Sequence, residues 1–304
     1  MVNAWELAKL ARQAAEMGHY VIVVSFVSNT NGFCSSPRKA GDLNSIPPTL
    51  PMTVIREHAG LSDSWLDTHP NGSVSSSAST PLDAIVKHGI TADSPLNTYS
   101  AGKPLDAYAS RFLGKRLDYI LYRQPYRPNQ ECPVLRASEC KVVMTGKVPG
   151  YGFSFSDHFG LEATLEIDAP VEEPTSDWRT PASPHSPSTP PPFELSSAST
   201  ATVIQALTAC YRYSRRRARR ELAIFGLCIL LLFVITIGTP WLPHTWIFFL
   251  LTIFVAWLAT TMLYEGFLYG SWECNALMNV IEDLEVYRRG LQIQSERFSR
   301  NSAG

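Results

Sequence analysis

The sequence carries almost no imbalance of charge: 26 basic against 27 acidic side chains in 304 residues, a formal net charge of −1. It also lacks a basic stretch interleaved with aromatics, so nothing in it calls for a nucleic-acid partner. Paired cysteines are missing. Cys34, Cys132, Cys140, Cys210, Cys228 and Cys274 form no CxxC spacing, which implies neither a zinc site nor a disulfide frame, and they read as reduced thiols of a cytosolic domain. No secretory signal pattern opens the chain, because residues 1–18 place apolar and charged side chains at helical spacing.

What the sequence does have is a division. Residues 222–238 (LAIFGLCILLLFVITIG) and 246–264 (WIFFLLTIFVAWLATTMLY) are free of charge. Crossing a bilayer takes about 20 apolar residues at helical rise, and each run reaches that with its edges. The linking residues 239–244 hold Pro240 and Pro243, which break a helix, and Trp241 and Trp246 stand where aromatics favour the interface. So short a link allows only a hairpin with both ends on one side; the alternative is a pair of buried core helices. Arg212, Arg215, Arg216, Arg217, Arg219 and Arg220 precede the first run. Basic flanks stay cytoplasmic, so both termini should be cytosolic, and the same arginines could hold anionic lipid at about 1 kcal/mol each.

Five stretches follow from this reading: a globular region at 1–168, a Pro/Ser/Thr-rich tether at 169–200, a basic juxtamembrane helix at 201–221, a transmembrane hairpin at 222–270, and a tail helix at 271–304 lying along the cytosolic surface. In the globular region helix and strand alternate. A helix over 4–17 should bury Trp5, Leu7, Leu10, Ala11 and Ala14, and 19–24 reads as a buried strand. A short helix is expected at 53–58 and strands at 116–122, 141–144 and 162–167.

Three polar stretches stand out: Gly41-Asp42-Leu43-Asn44, Arg116-Leu117-Asp118-Tyr119-Ile120 and Ser156-Asp157-His158. Each is weak alone, since a strand-end Asp or an Asp-His pair is more often a turn or plain surface. In order, however, they are joined by Ile46-Pro47-Pro48, by residues 59–65 (AGLSDSW), by 89–98 (GITADSPLNT) and by 156–163 (SDHFGLEA). On these runs the chain resembles the endonuclease/exonuclease/phosphatase superfamily. Within it the chain resembles the membrane-bound neutral sphingomyelinases and the fungal inositol phosphosphingolipid phospholipases C.

The resemblance implies an α/β fold, part of a four-layer α/β sandwich, carrying a C-terminal two-helix transmembrane hairpin. It implies a hydrolase that cleaves a phosphodiester of a sphingolipid with a metal-activated water, releasing ceramide and a phosphorylated head group. His158 would contact the scissile phosphate and move a proton, and Asp118 would orient His158 and favour its protonated form. Asp157 would help hold Mg²⁺, Asp42 would align or deprotonate the water, and Asn44 would hold a phosphate oxygen. Partners are then the sphingolipid, anionic phospholipid and a membrane, with the endoplasmic reticulum or mitochondrial outer membrane as its place. A soluble nuclease or inositol-phosphate phosphatase of the same superfamily is the second enzyme reading, and a non-catalytic membrane protein binding anionic lipid is the third.

Two departures accompany the resemblance. The family's first half, with a metal-binding Glu, has no counterpart before Ala4, and Glu6 and Glu16 on the first helix cannot replace it; the expectation is an inactive or truncated product. Residues 24–39 also interrupt the step from strand to Asp42. Joining Val23 to Ala40 restores the family pattern, and codons for Val24-Ser25 (GTGAGT), Thr30-Asn31 (ACTAAC) and Lys39 (AAG) can supply intron signals. The stretch reads as a retained intron; the alternative is a loop of the folded protein.

Overall fold

A computed structural model of the chain describes residues 1–24, 43–70, 80–126, 133–168, 195–239 and 245–302. The intron-like stretch beyond Val24, the catalytic candidate Asp42, most of the Pro/Ser/Thr-rich tether and the hairpin link lie outside the described residues. The chain forms two compact units, Asn3–Leu195 and, for the most part, Ser196–Gly304.

The first unit opens with α1 (Val2–Glu16), which buries Ala4, Trp5, Ala8, Ala11 and Ala15. The steps of three and four residues put these on one face. This corrects the expected face in part: Trp5 and Ala11 are buried as expected, but Leu10 is 64% exposed and Ala4, Ala8 and Ala15 complete the buried face. Glu6 and Glu16 are engaged on the helix surface with Lys9 (3.0 Å) and Arg12 (2.9 Å).

A three-stranded antiparallel sheet follows in the order β1-β3-β2, built from β1 (Val21–Val24), β2 (Ser62–Asp63) and β3 (Ile120–Arg123). Val21 pairs with Arg123 and Val24 with Ile120 on one side of β3, and Asp63 pairs with Leu121 on the other. β1 is not the buried strand its composition suggests. It pairs on one side only among the described residues, and Ile22 and Val24 stay exposed. β3 is also shorter than expected, because residues 116–119 leave the ladder to make side-chain bonds.

The second sheet is the long hairpin of β4 (Val134–Val143) and β5 (Gly160–Asp168), with a bulge between Ala137 and Glu139. β4 begins well before the expected 141–144 and ends at Val143, and β5 extends past the expected 162–167 at both ends. Leu135, Ala137 and Leu165 of this hairpin pack on Tyr122 of β3. Between the strands of the first sheet the chain forms short helices: α2 (Leu50–Thr53), continued by a π-helical turn Val54–His58, then α3 (Ser64–Thr68), α4 (Pro81–His88) and α5 (Ala107–Phe112).

α4 shows how local sequence fixes these pieces. Pro81 starts it, the Thr80 hydroxyl accepts from the Asp83 amide (3.1 Å), and Gly89 ends it at φ 66°. A Cβ on Gly89 would lie 2.7 Å from the Trp65 ring, so this position needs glycine for space as well as for its backbone angle. Ala84 and Ile85 of α4 pack with Ile90 and Phe159. Burying a side chain such as Phe159, 1% exposed, contributes about 1.5–3 kcal/mol.

The second unit is helical. α6 (Ser197–Gly238) runs unbroken through the arginine-rich stretch and the first apolar run. α7 (Thr245–Leu263), a π-helical turn Tyr264–Tyr269 and α8 (Gly270–Ser302) follow without a gap. The tail is therefore not a separate surface helix; it continues the second apolar helix and packs along α6. Two helices are long and apolar enough to cross a membrane, and only 17% and 11% of their most apolar windows are buried. Leu227, Phe233, Phe249 and Trp257 are all more than 60% exposed, which argues against a pair of core helices.

Candidate active site

The site is assembled around a buried threonine. Thr91 is fully enclosed, and its Oγ1 accepts from the backbone N–H groups of Leu117 (3.2 Å) and Asp118 (3.3 Å). Its own N–H donates to the Lys115 carbonyl (3.0 Å), and its carbonyl accepts from the Phe159 N–H (2.7 Å). One residue thus clamps the chain before Asp118 to the chain after His158. A bridge between Ala92 and His158 completes the clamp.

The clamp brings Asp118 and His158 together. His158 Nδ1 lies 2.9 Å from Asp118 Oδ2, the carboxylate 4% and the imidazole 22% exposed. A carboxylate accepts only, so Nδ1 carries the proton in this bond, which turns Nε2 toward the role of exchanging one. Asp157, next in the chain, is exposed and accepts from the Ser156 hydroxyl (3.0 Å). Ser156 is itself held, since its carbonyl accepts from the side-chain amide of the fully buried Asn97 (2.9 Å).

The turn at 116–119 reaches three further stretches. Arg116 Nη1 donates to Asp63 Oδ1 (3.0 Å), and Asp63 Oδ1 also accepts from the Trp65 N–H, capping α3. The Tyr119 hydroxyl lies 2.6 Å from the Ser45 carbonyl and 2.9 Å from that of Arg116. Burial pushes the Tyr119 phenol well above its ordinary pKa, so it remains protonated and able to donate. Asn44, adjacent to Ser45, sits at φ 47°, a left-handed conformation that Asn tolerates better than most residues. Lys115, bonded to Asp106 (2.6 Å) and Asp93 (2.9 Å), has its pKa raised by those two carboxylates and pins the 93–106 loop.

Of the residues expected at the site, Asp118 and His158 come together, Asp157 adjoins His158 in the chain with its carboxylate exposed, and Asn44 neighbours the Tyr119 anchor; Asp42 is outside the described residues. Thr91, Asn97 and Asp63 carry the geometry and were not singled out from sequence; their only signal was membership of the runs 89–98 and 59–65, whereas Arg116, the partner of Asp63, opened a stretch that did stand out. Among the described residues no three His, Cys, Asp or Glu side chains gather into a metal cradle. An exposed carboxylate such as Asp157 still suits a hard cation, because magnesium keeps several waters and takes one or two carboxylates plus phosphate oxygens.

The six arginines separate into groups. Arg212, Arg215, Arg216 and Arg219 line a groove of about 460 Å³ with Tyr211 and Thr208 of α6 and Met278, Ile281 and Glu285 of α8. Arg217 is committed elsewhere, to Glu221 (2.8 Å) and to Glu265 (3.1 Å) in the π-helical turn. Arg220 lines no part of the groove.

The α/β unit thus holds an Asp-oriented His beside an exposed carboxylate, an arrangement suited to general acid–base chemistry. The model of the Endonuclease/Exonuclease/phosphatase family matches residues 1–158, and the chain belongs to that family. It is 26% identical to an inositol phosphosphingolipids phospholipase C of Schizosaccharomyces pombe over 296 residues, 93% of this chain and 59% of the relative. It is 31% identical to the protein of the same name in Saccharomyces cerevisiae over 166 residues, 54% of this chain and 28% of the relative. Sphingomyelin phosphodiesterase 2 of Rattus norvegicus is 27% identical over 179 residues, 58% of this chain and 33% of the relative. The chain thus spans 59% of the length of the fission-yeast relative and a third or less of the other two.

Proposed function

We propose that this chain is the site-bearing part of a divalent-metal-dependent, phospholipase C-type phosphodiesterase acting on inositol phosphosphingolipids or sphingomyelin. The observation that carries the reading is the His158–Asp118 pair at 2.9 Å, held by the Thr91 clamp. Hydrolysis adds water to phosphorus and breaks the P–O bond to ceramide, whose oxygen must gain a proton. His158, oriented through Nδ1, presents Nε2 to the scissile phosphate and takes part in that transfer. Asp42 aligns or deprotonates the water and Asn44 holds a phosphate oxygen. Asp157 would hold Mg²⁺, which when bound neutralises phosphate charge and acidifies water. Both apolar helices cross the bilayer, with the site and both termini cytosolic, as the arginines before the first run support.

The test is release of head-group phosphate from labelled inositol phosphosphingolipid and from sphingomyelin, with and without Mg²⁺. It is run on the 304-residue chain and on the product of the full-length transcript, with the stretch 24–39 present and spliced out. Magnesium-dependent release by the product of the full-length transcript, which His158→Ala abolishes, is the expected result, with little or none from the 304-residue chain. Release that survives His158→Ala would sink the assignment.

A second reading is favoured by one observation, the four-arginine groove between α6 and α8. In it the chain binds anionic phospholipid through Arg212, Arg215, Arg216 and Arg219 and need not catalyse. Binding to phosphatidylserine vesicles that survives His158→Ala and is lost on replacing those four arginines supports it.

A further inference from the structure

Two loops beside the candidate site expose apolar side chains that folding leaves uncovered. The first, residues 94–105, presents Leu96 (47% exposed) and Tyr99 (44%). The second, residues 144–156, presents Tyr151 (65%), Phe153 (46%) and Phe155 (50%). These side chains are not on slack chain. The second loop closes on itself as a small hairpin, with Lys147 bridged to Ser154, the Val148 N–H on the Phe153 carbonyl (2.9 Å) and the Tyr151 N–H on the Val148 carbonyl (2.9 Å).

The two loops are also stitched together. The Thr98 N–H donates to Ser154 Oγ (3.2 Å), and the Ser154 N–H donates to Thr98 Oγ1 (2.8 Å). Asn97 holds the Ser156 carbonyl two residues ahead of His158. A protein that fixes aromatic side chains outward against water, at a loss of about 25 cal/mol per Å² of apolar surface, reserves them for another surface.

We infer that this loop pair is a bilayer-docking surface, which seats the catalytic unit on the lipid that His158 acts on. The inference rests on the phosphodiesterase reading for its purpose but not for its test. Two features select a bilayer as the occupant. The same chain holds two helices long and apolar enough to cross a membrane, so lipid is the surface within reach. The loops carry Lys103 and Lys147 and no Asp or Glu inside residues 94–105 and 144–156; of the flanking acids, Asp93 and Asp106 are paired with Lys115, and Asp157 lies on the site side. That balance suits the negative cytosolic leaflet, and aromatic side chains suit the headgroup level.

The test places a photoreactive benzoylphenylalanine at Phe153 and, as control, at Leu10, which is exposed on α1 of the same unit. The full chain is reconstituted in phosphatidylcholine–phosphatidylserine vesicles and irradiated. Lipid adducts at position 153 and few at position 10 are expected. Equal yields at the two positions, or a cross-link from 153 to protein, whether a second copy or another part of this polypeptide, would overturn the inference. As a second readout, joint Phe153→Asp and Phe155→Asp replacement should lower hydrolysis of vesicle lipid about tenfold. The rate on a water-soluble phosphodiester should stay unchanged. No hydrolysis of either substrate by the product of the full-length transcript, beside a lipid adduct at 153, would remove the phosphodiesterase reading and leave the docking surface standing.

Discussion

Arg116 and Asp63 form an ion pair sealed from solvent, with Nη1 3.0 Å from Oδ1 and 2.9 Å from Oδ2 and the side chains 3% and 1% exposed. The guanidinium also lies 4.8 Å from the centre of the Tyr119 ring, so the pair is boxed between the end of β2 and the turn that carries Asp118. Removing one partner of a buried pair leaves a charge with no solvent. Arg116→Met is expected to cost about 3–5 kcal/mol. Arg116→Lys should recover only part, because an ammonium can replace Nη1 as the donor to Asp63 but not the guanidinium fork that lies over the Tyr119 ring. Denaturant unfolding of the three proteins in the same detergent checks this; equal midpoints for Arg116→Lys and the parent chain would show that the fork is not needed.

Asp118 should act by positioning, and its removal should separate catalysis from folding. Asp118→Asn keeps the size and the Thr91 bond to its backbone but can offer an N–H where His158 Nδ1 needs an acceptor. Under the phosphodiesterase reading kcat should fall by about 10²–10⁴ while KM and the melting temperature change little. A Thr91→Val variant should differ, lowering both, because it unfastens two backbone N–H groups. A drop in stability for Asp118→Asn equal to that of Thr91→Val would assign Asp118 to the fold alone.

Much of this arrangement was legible in the residues before the fold was known, and the part that was not has a physical reason. Asp118 and His158 could be named because their stretches, each weak alone, stand in the order and company that one superfamily shows. The membrane-length helices were legible from composition alone, which periodicity cannot obscure. Thr91 and Asn97 were not, because their work is to bond backbone groups far off in sequence, at 117–118 and 156, and nothing local marks that. The strand at 116–122 was overextended for the same reason: Arg116, Asp118 and Tyr119 find better partners outside the ladder. In α1 the apolar period was right but the face was misjudged in part, since the alanine face packs and Leu10 does not.

His58 should make stability depend on pH. It is 5% exposed and stacked on Trp5 with ring centroids 4.4 Å apart. Burial first, then the nearby Arg12 and Arg123 charges, lower its pKa from 6.5 to about 4. A base whose folded pKa is depressed favours the folded state while neutral. That contribution is complete above pH 6.5 and is lost as pH falls from 6.5 toward 4, where the unfolded chain takes up the proton and the folded chain does not. The loss approaches roughly 3 kcal/mol at its limit. Melting temperatures at pH 7.5 and 5.0 should differ more in the parent than in His58→Phe, which keeps the stack and cannot titrate. An identical pH response in the two would assign the loss to other groups.

The helical unit makes a sharper demand at two glycines. A Cβ on Gly270 would lie 2.6 Å from the Ala218 Cβ, and one on Gly266 would lie 3.0 Å from the Ala218 carbonyl and 3.1 Å from Leu222. Four residues apart, they let the π-helical turn and the start of α8 lie against α6, as small residues do where helices approach closely. The same closeness places Glu265 within 3.1 Å of Arg217. Gly270→Val therefore forces the helices apart and separates that pair, at about 1–3 kcal/mol for an overpacked contact. Gly290, also on α8, has nothing within 4 Å of its would-be Cβ, so Gly290→Val reports the change in helix propensity without the clash. Thermal loss of helix in detergent should come earlier for Gly270→Val than for Gly290→Val. Ala218→Gly in the Gly270→Val background should restore part of the difference, because it removes the atom that is struck. If the two valine variants melt together, close approach at Ala218 is not what holds α6 to α8, and the Arg217–Glu265 pair or the apolar contacts deeper in the hairpin must do so.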